Sequence, residues 1–183
     1  LRHTRWPDQP EIFRPALTDF FTAFTDLSES TMRMVLAGLG LPESAVEATM
    51  GQGFGPAHTS AARLNYYPAK DPVPAQERES VTPLGDMALH HHTDPGAITL
   101  LLQDNAGGLQ ALSRADGWID VPPVDGSIVV NIGDILQVWT NDRCTAGVHR
   151  VVPVTNPSGR FSVPFFYQPK VDAVVEPWLG VAD

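Results

Sequence analysis

From Ala61 onward the sequence is cut into short apolar runs by turn residues, and that punctuation limits the possible folds more than any other feature. The runs read "ARLNYY", "MALHHH", "AITLLLQ", "GLQALS", "GWIDVP", "SIVVNI", "ILQVWT", "GVHRVVPV" and "RFSVPFFYQ". Between them stand "DNAGG", "RADG", "PVDG", "GD", "ND" and "NPSG". Runs of this length bounded by Gly, Asp and Asn read as strands. About eight consecutive short strands predict a sandwich or a small barrel; a doubly wound sheet would interleave helices between them. The stretch "PAKDPVPAQERESVTP" carries mixed charge and many prolines and reads as a surface loop.

The first part of the chain has a different period. Phe13, Leu17, Phe20, Phe21, Phe24, Leu27, Met32, Val35, Leu36 and Leu39 recur at spacings of three and four. They form one apolar stripe on a long amphipathic helix, with a candidate bend near Ser28–Ser30. Gly38, Gly40 and Pro42 end it. "PESAVEATM" reads as a second, short helix, and "GFGPAH" (53–58) as an ordinary loop, with a place at the mouth of a pocket as the alternative. The division expected is a helical segment over 1–60 and a β core over 61–183.

At 183 residues the chain fits one domain. It opens on Leu1 and not on Met, with a proline-broken extended start, so a piece of a longer protein is expected. Neither a signal peptide nor a membrane-spanning run is evident. The net charge of −9 (12 basic, 21 acidic residues) speaks against nucleic acid as a partner. The single cysteine, Cys144, rules out an internal disulfide, fits a reducing, cytoplasmic setting, and excludes a cysteine-rich metal site. Any metal here is held by His and carboxylate.

Such donors cluster in "HHHTD", residues 90–94. Strand alternation puts His90 and His92 on one face and His91 on the other, and carries Asp94 to the side of His92. An unpaired carboxylate inside a barrel is costly, and a divalent metal removes that cost. His149 in "GVHRVV" is the candidate third donor. Two imidazoles and one carboxylate on one side of a metal leave positions open for small molecules, as in non-haem Fe(II) oxygen chemistry. Zinc hydrolases use similar donors in four-coordinate sites. Arg160 and Ser162 share a strand face eleven residues beyond His149. A buried arginine needs an anion, and its fork suits a carboxylate. Asn65 and Tyr67, again two apart, are placed to offer an amide and a phenol to the same small acid. Taken singly, each has a plain alternative: a polar turn at "HHHTD", a packed core histidine at 149, a surface ion pair at Arg160, a turn residue at Asn65, packed tyrosines.

Together these stretches resemble the 2-oxoglutarate- and Fe(II)-dependent dioxygenases of the isopenicillin N synthase-like family. "LNYYP", "HTDPGAITLLLQD", "GGLQAL", "GWIDVPP", "VVNIGDILQVWTND", "GVHRVV" and "RFSVPFFYQP" run in the family's order over more than half the chain. The resemblance implies a mainly β double-stranded β-helix, a jelly-roll or cupin-like barrel, with the long N-terminal helix packed outside. It implies His92, Asp94 and His149 as catalytic iron ligands. Arg160 and Ser162 would hold the distal carboxylate of 2-oxoglutarate, with Tyr67 at that end and Asn65 near the chelating end. The implied activity is oxidation of a small organic molecule (hydroxylation, desaturation or cyclisation) by O2, with release of succinate and CO2.

Family members are usually longer, so segments that close the substrate pocket are expected beyond both ends. Neither His90 nor His91 is expected to bind iron, with His90 a possible pocket residue. Leu89, Val138 and Phe166 are apolar pocket candidates, with packing in the core as the alternative. Three alternatives stay open: an isopenicillin N synthase-type or ascorbate-dependent Fe(II) oxidase that takes no 2-oxoglutarate, a zinc hydrolase, and a barrel that binds a small acid without turnover. The oligomeric state is not legible.

Overall fold

The computed structural model describes residues 4–70, 74 and 87–177. The proline-rich loop expected between Pro68 and Pro83 lies largely outside them. Among the described residues no helix is long and apolar enough to cross a membrane.

Helix α1 (Phe13–Gly38) is followed by α2 (Glu43–Gly53). α1 is continuous through Ser28–Ser30, and the small hydroxyls there are satisfied within the helix. Ser28 donates to the Phe24 carbonyl at 2.6 Å and Thr31 to the Leu27 carbonyl at 2.8 Å. The helix ends as "GLGLP" predicts. Gly40 sits at φ +88°, its N–H bonds the Ala37 carbonyl, and the Leu41 N–H bonds the Leu36 carbonyl. This pair of bonds around a left-handed glycine satisfies carbonyls that the helix leaves open. "GFGPAH" is neither a mouth nor a plain loop. Phe54 caps α2, is 2% exposed, stacks on Tyr167 at 4.3 Å and meets the Trp139 ring edge-on at 5.6 Å.

The strands are β1 (Ala61–Ala62), β2 (Asn65–Tyr67), β3 (Leu89–His92), β4 (Ile98–Gln103), β5 (Leu109–Ser113), β6 (Gly117–Asp120), β7 (Val129–Ile132), β8 (His149–Val151) and β9 (Arg160–Tyr167). One sheet runs β1-β9-β4-β7, with β2 also on β9; the other runs β3-β8-β5-β6. Every pairing is antiparallel. The two sheets face each other across a cavity, the double-stranded β-helix.

One expected strand is a helix. "ILQVWT" forms most of α3 (Asp134–Trp139). Its apolar positions suit period 3.6 better than period 2: Leu136 and Trp139, three apart, are wholly buried, and Val138 is 42% exposed. Gly133, in extended backbone, caps the helix, and Asp134 places a negative charge in its first turn. Val138 therefore points to solvent and does not serve as a pocket residue.

α1 covers the outer face of the larger sheet. Phe21 meets Phe165 edge-on at 5.1 Å, and Met32, Leu36, Ile98, Leu100, Trp139, Phe165 and Tyr167 form a single buried cluster. Along β9 the residues alternate. Phe165 and Tyr167 face the helices, whereas Arg160, Ser162, Pro164 and Phe166 line the cavity. β4 does the same, with Ile98 and Leu100 towards the helices and Thr99 and Leu101 towards the cavity.

Candidate metal centre

His92 ends β3 and His149 begins β8, and the two are register partners across that antiparallel pair. Their rings lie 4.3 Å apart. The His92 Nδ1 is 2.8 Å from the His90 carbonyl and the His149 Nδ1 is 3.0 Å from the Gly147 carbonyl. A carbonyl only accepts, so each Nδ1 carries the proton and each Nε2 presents a lone pair. Both Nε2 atoms lie 3.8 Å from the Asp94 Oδ1. One donor atom from each of the three residues falls within 4.8 Å of the others.

Asp94 does not ride on the strand as the alternation argument expects. β3 ends at His92, and Asp94 sits two residues on, 4% exposed, outside any strand. Its Oδ2 accepts from the Asn131 Nδ2 at 2.9 Å and its carbonyl accepts from the Asp134 N–H at 2.8 Å. Oδ1 is left facing the two imidazole lone pairs. Three lone pairs aimed at one point repel one another unless a cation lies between them, so the residues fit a divalent metal. Two glycines allow the approach: a Cβ on Gly133 would overlap the Gly96 carbonyl, and one on Gly147 would overlap the Asn131 amide.

A bulge corrects the placing of His90. Leu89 pairs with Val151 and His92 with His149, so three steps on β3 match two on β8. The extra residue resets the alternation. Leu89 and His92 line the cavity, while His90 and His91 are exposed and do not. His90 contributes its carbonyl to His92, and the His91 ring lies 6.3 Å from Trp118 on the outside.

The second cluster lies along β2 and β9. Asn65 is the register partner of Ser162, and Tyr67 of Arg160. All four side chains line the same cavity as the triad, about 390 Å³ in volume. Arg160 is 1% exposed. Its Nη2 donates to the Gln103 Oε1 at 3.1 Å, its Nε has no partner among the described residues, and its Cζ lies 5.3 Å from the Tyr67 ring centre. Burial pulls its pKa below the ordinary arginine range, and Tyr67 and Asp104 partly oppose that. Among the described residues no carboxylate is ion-paired with it. A buried guanidinium in this condition is poised for an anion.

Sequence reading missed four contributors: Asn131, Gln103, Thr99 and Gly147. Thr99 lines the cavity with its buried Oγ1 unpartnered. Asn131 and Thr99 each stand as a polar residue inside an apolar run ("SIVVNI", "AITLLL"), which is the signal that marks them. The walls between the polar clusters are apolar. Leu89 and Phe166 are among them and are not packed away in the core, together with Leu101, Leu109 and Val151.

Residues 58–169 match the family model of the 2OG-Fe(II) oxygenase superfamily. The chain is 36% identical over 174 residues to homoarginine-6-hydroxylase 2-ODD-233 of Oryza sativa subsp. japonica, covering 94% of this chain and 49% of that one. It is 35% identical to 1-aminocyclopropane-1-carboxylate oxidase 1 of Cucumis melo, covering 97% and 54%. The crystal structure of a full-length Neurospora crassa protein in complex with alpha-KG and thymine superposes with a TM-score of 0.81 at 30% identity, covering 97% and 53%. The chain thus spans about half the length of the relatives it matches.

Proposed function

This chain belongs to the 2OG-Fe(II) oxygenase superfamily, and from that premise we propose that it is a non-haem Fe(II)- and 2-oxoglutarate-dependent oxygenase that oxidises a small organic molecule. The observation that carries the reading is one cavity with three converging lone-pair donors and a buried arginine that, among the described residues, has no carboxylate partner.

In this reading His92, Asp94 and His149 hold Fe(II). When bound, the iron lets O2 oxidise the co-substrate to succinate and CO2 and the substrate at a C–H bond. The chain's own residues bind and orient. The His90 and Gly147 carbonyls fix both imidazole tautomers, and Asn131 fixes the carboxylate rotamer. Arg160 and Ser162 take the far carboxylate of 2-oxoglutarate, Tyr67 flanks it, and Asn65 lies towards the chelating end. Thr99 offers a hydroxyl to the cavity. The apolar walls exclude water from the reacting centre. Residues 61–183 carry this chemistry, and 1–60 back it. The partner is a small molecule, and the lone Cys144 fits a cytoplasmic setting.

The deciding experiment measures O2 uptake and succinate release with Fe(II), with and without 2-oxoglutarate. Strict dependence on both is expected. Uptake that proceeds without 2-oxoglutarate would favour the oxidase reading instead, and acid binding without succinate would favour a non-catalytic barrel.

A further inference from the structure

One cavity cation has no task in that scheme. Arg63 lines the cavity on the same face as Asn65 and Tyr67, two and four residues before them. Its N–H bonds the Pro164 carbonyl at 3.0 Å, which places it beside Pro164 on β9. Four residues of strand, about 13 Å, separate that position from Arg160. The direction matters. Phe166 is the register partner of Thr99, Thr99 of Asn131, and Asn131 bonds Asp94, so the Phe166 end of β9 is the triad's end. The Arg63 guanidinium lies 5.6 Å from the Phe166 ring centre. It therefore stands level with the triad along the strand direction, across β9 and β4 from it and away from Arg160, and is exposed.

Among the described residues no carboxylate pairs with Arg63, and Asp94 is the only carboxylate lining the cavity. In a chain of net charge −9 that wall is locally cationic. The co-substrate, as placed above, has one carboxylate at the metal and the other on Arg160, so neither is left for Arg63. The neighbouring wall is apolar: Leu101, Leu109, Val129 and Phe166. We propose that Arg63 is a specificity residue that binds the carboxylate of the substrate, and that the substrate class is a small carboxylic acid with an apolar body. This rests on the reading that Arg160 and the triad take 2-oxoglutarate.

The test is anaerobic calorimetry on the full chain, with Mn(II) replacing iron. The probes are 3-phenylpropanoate, 4-phenylbutanoate and 5-phenylpentanoate, each against its primary amide, with and without 2-oxoglutarate. At least one acid is expected to bind about tenfold tighter than its amide, the effect of one charge-assisted contact. Arg63→Gln removes that preference, Arg63→Lys restores part of it, and both leave the affinity for 2-oxoglutarate unchanged. Acids that bind no better than amides, including no binding of either, overturn the proposal. So does a preference that survives Arg63→Gln, or a Gln variant that loses 2-oxoglutarate. Failure of 2-oxoglutarate to bind the wild type overturns the co-substrate reading instead, and the acid–amide difference measured with Mn(II) alone still decides on Arg63.

Discussion

Strands β4 and β9 separate two interiors, and the contrast between their faces carries most of what this molecule teaches. Towards the helices stand Ile98, Leu100, Phe165 and Tyr167, all wholly buried and mostly hydrocarbon. Towards the other sheet stand Thr99, Arg160 and Ser162, just as inaccessible but polar, with Thr99 Oγ1 and Arg160 Nε unpartnered. The helix side is a core that stabilises by burying area, with the Tyr167 hydroxyl as its unpartnered polar atom among the described residues. The cavity side holds buried polar atoms without partners, which cost stability. Strand β9 thus gives Phe165 and Tyr167 to the core and Arg160 and Ser162 to the polar lining of the cavity.

Substitutions on the two faces therefore have opposite signatures. The largest expected effect is Asp94→Ala or His149→Ala, which abolishes iron-dependent succinate formation while circular dichroism and the thermal transition persist. Retained succinate in either variant breaks the comparison. On the helix face, Phe165→Ala opens a cavity among Phe21, Phe24 and the buried cluster and lowers stability by about 3–5 kcal/mol in denaturant titration. Arg160→Met sharpens the contrast most. It raises the 2-oxoglutarate requirement by about 10–100-fold, yet leaves the thermal midpoint of the ligand-free protein unchanged or higher, because it replaces a buried, unpaired charge. Asn131→Ala frees the Asp94 carboxylate and weakens metal affinity about tenfold or more, read by Fe(II) titration. The smallest effect is Thr99→Val, near-isosteric, which relieves an unpartnered hydroxyl and shifts stability by less than about 1 kcal/mol; its signature is in the KM for 2-oxoglutarate.

The two faces also differ in how far the sequence discloses them. The helical stripe from Phe13 to Leu39 and the strand runs are periodic patterns, so α1 and all the strands around the cavity were legible. His92, Asp94, His149, Arg160 and Ser162 were legible only together, through their order along the chain and the family resemblance that order carries, since each taken singly has a plain alternative. The misses have identifiable causes. "ILQVWT" is six residues long, too short for period alone to separate helix from strand, and the capping Gly133 outweighs its β-prone Ile, Val and Trp. The bulge in β3 depends on register with β8, a long-range pairing that no local alternation reveals. Asn131 acts through a side chain on another part of the chain, and Gly147 through the space that the Asn131 amide fills. Phe54 hides in a glycine-flanked loop, although its ring packs between Tyr167 and Trp139.

The central claim is best tested by a crystal structure of the protein loaded anaerobically with Fe(II) and 2-oxoglutarate, with anomalous data collected at the iron edge. A single iron peak bound by His92 Nε2, Asp94 Oδ1 and His149 Nε2, with the far carboxylate of the acid on the Arg160 guanidinium, is the expected result. Iron bound elsewhere, or an acid seated away from Arg160, would contradict it.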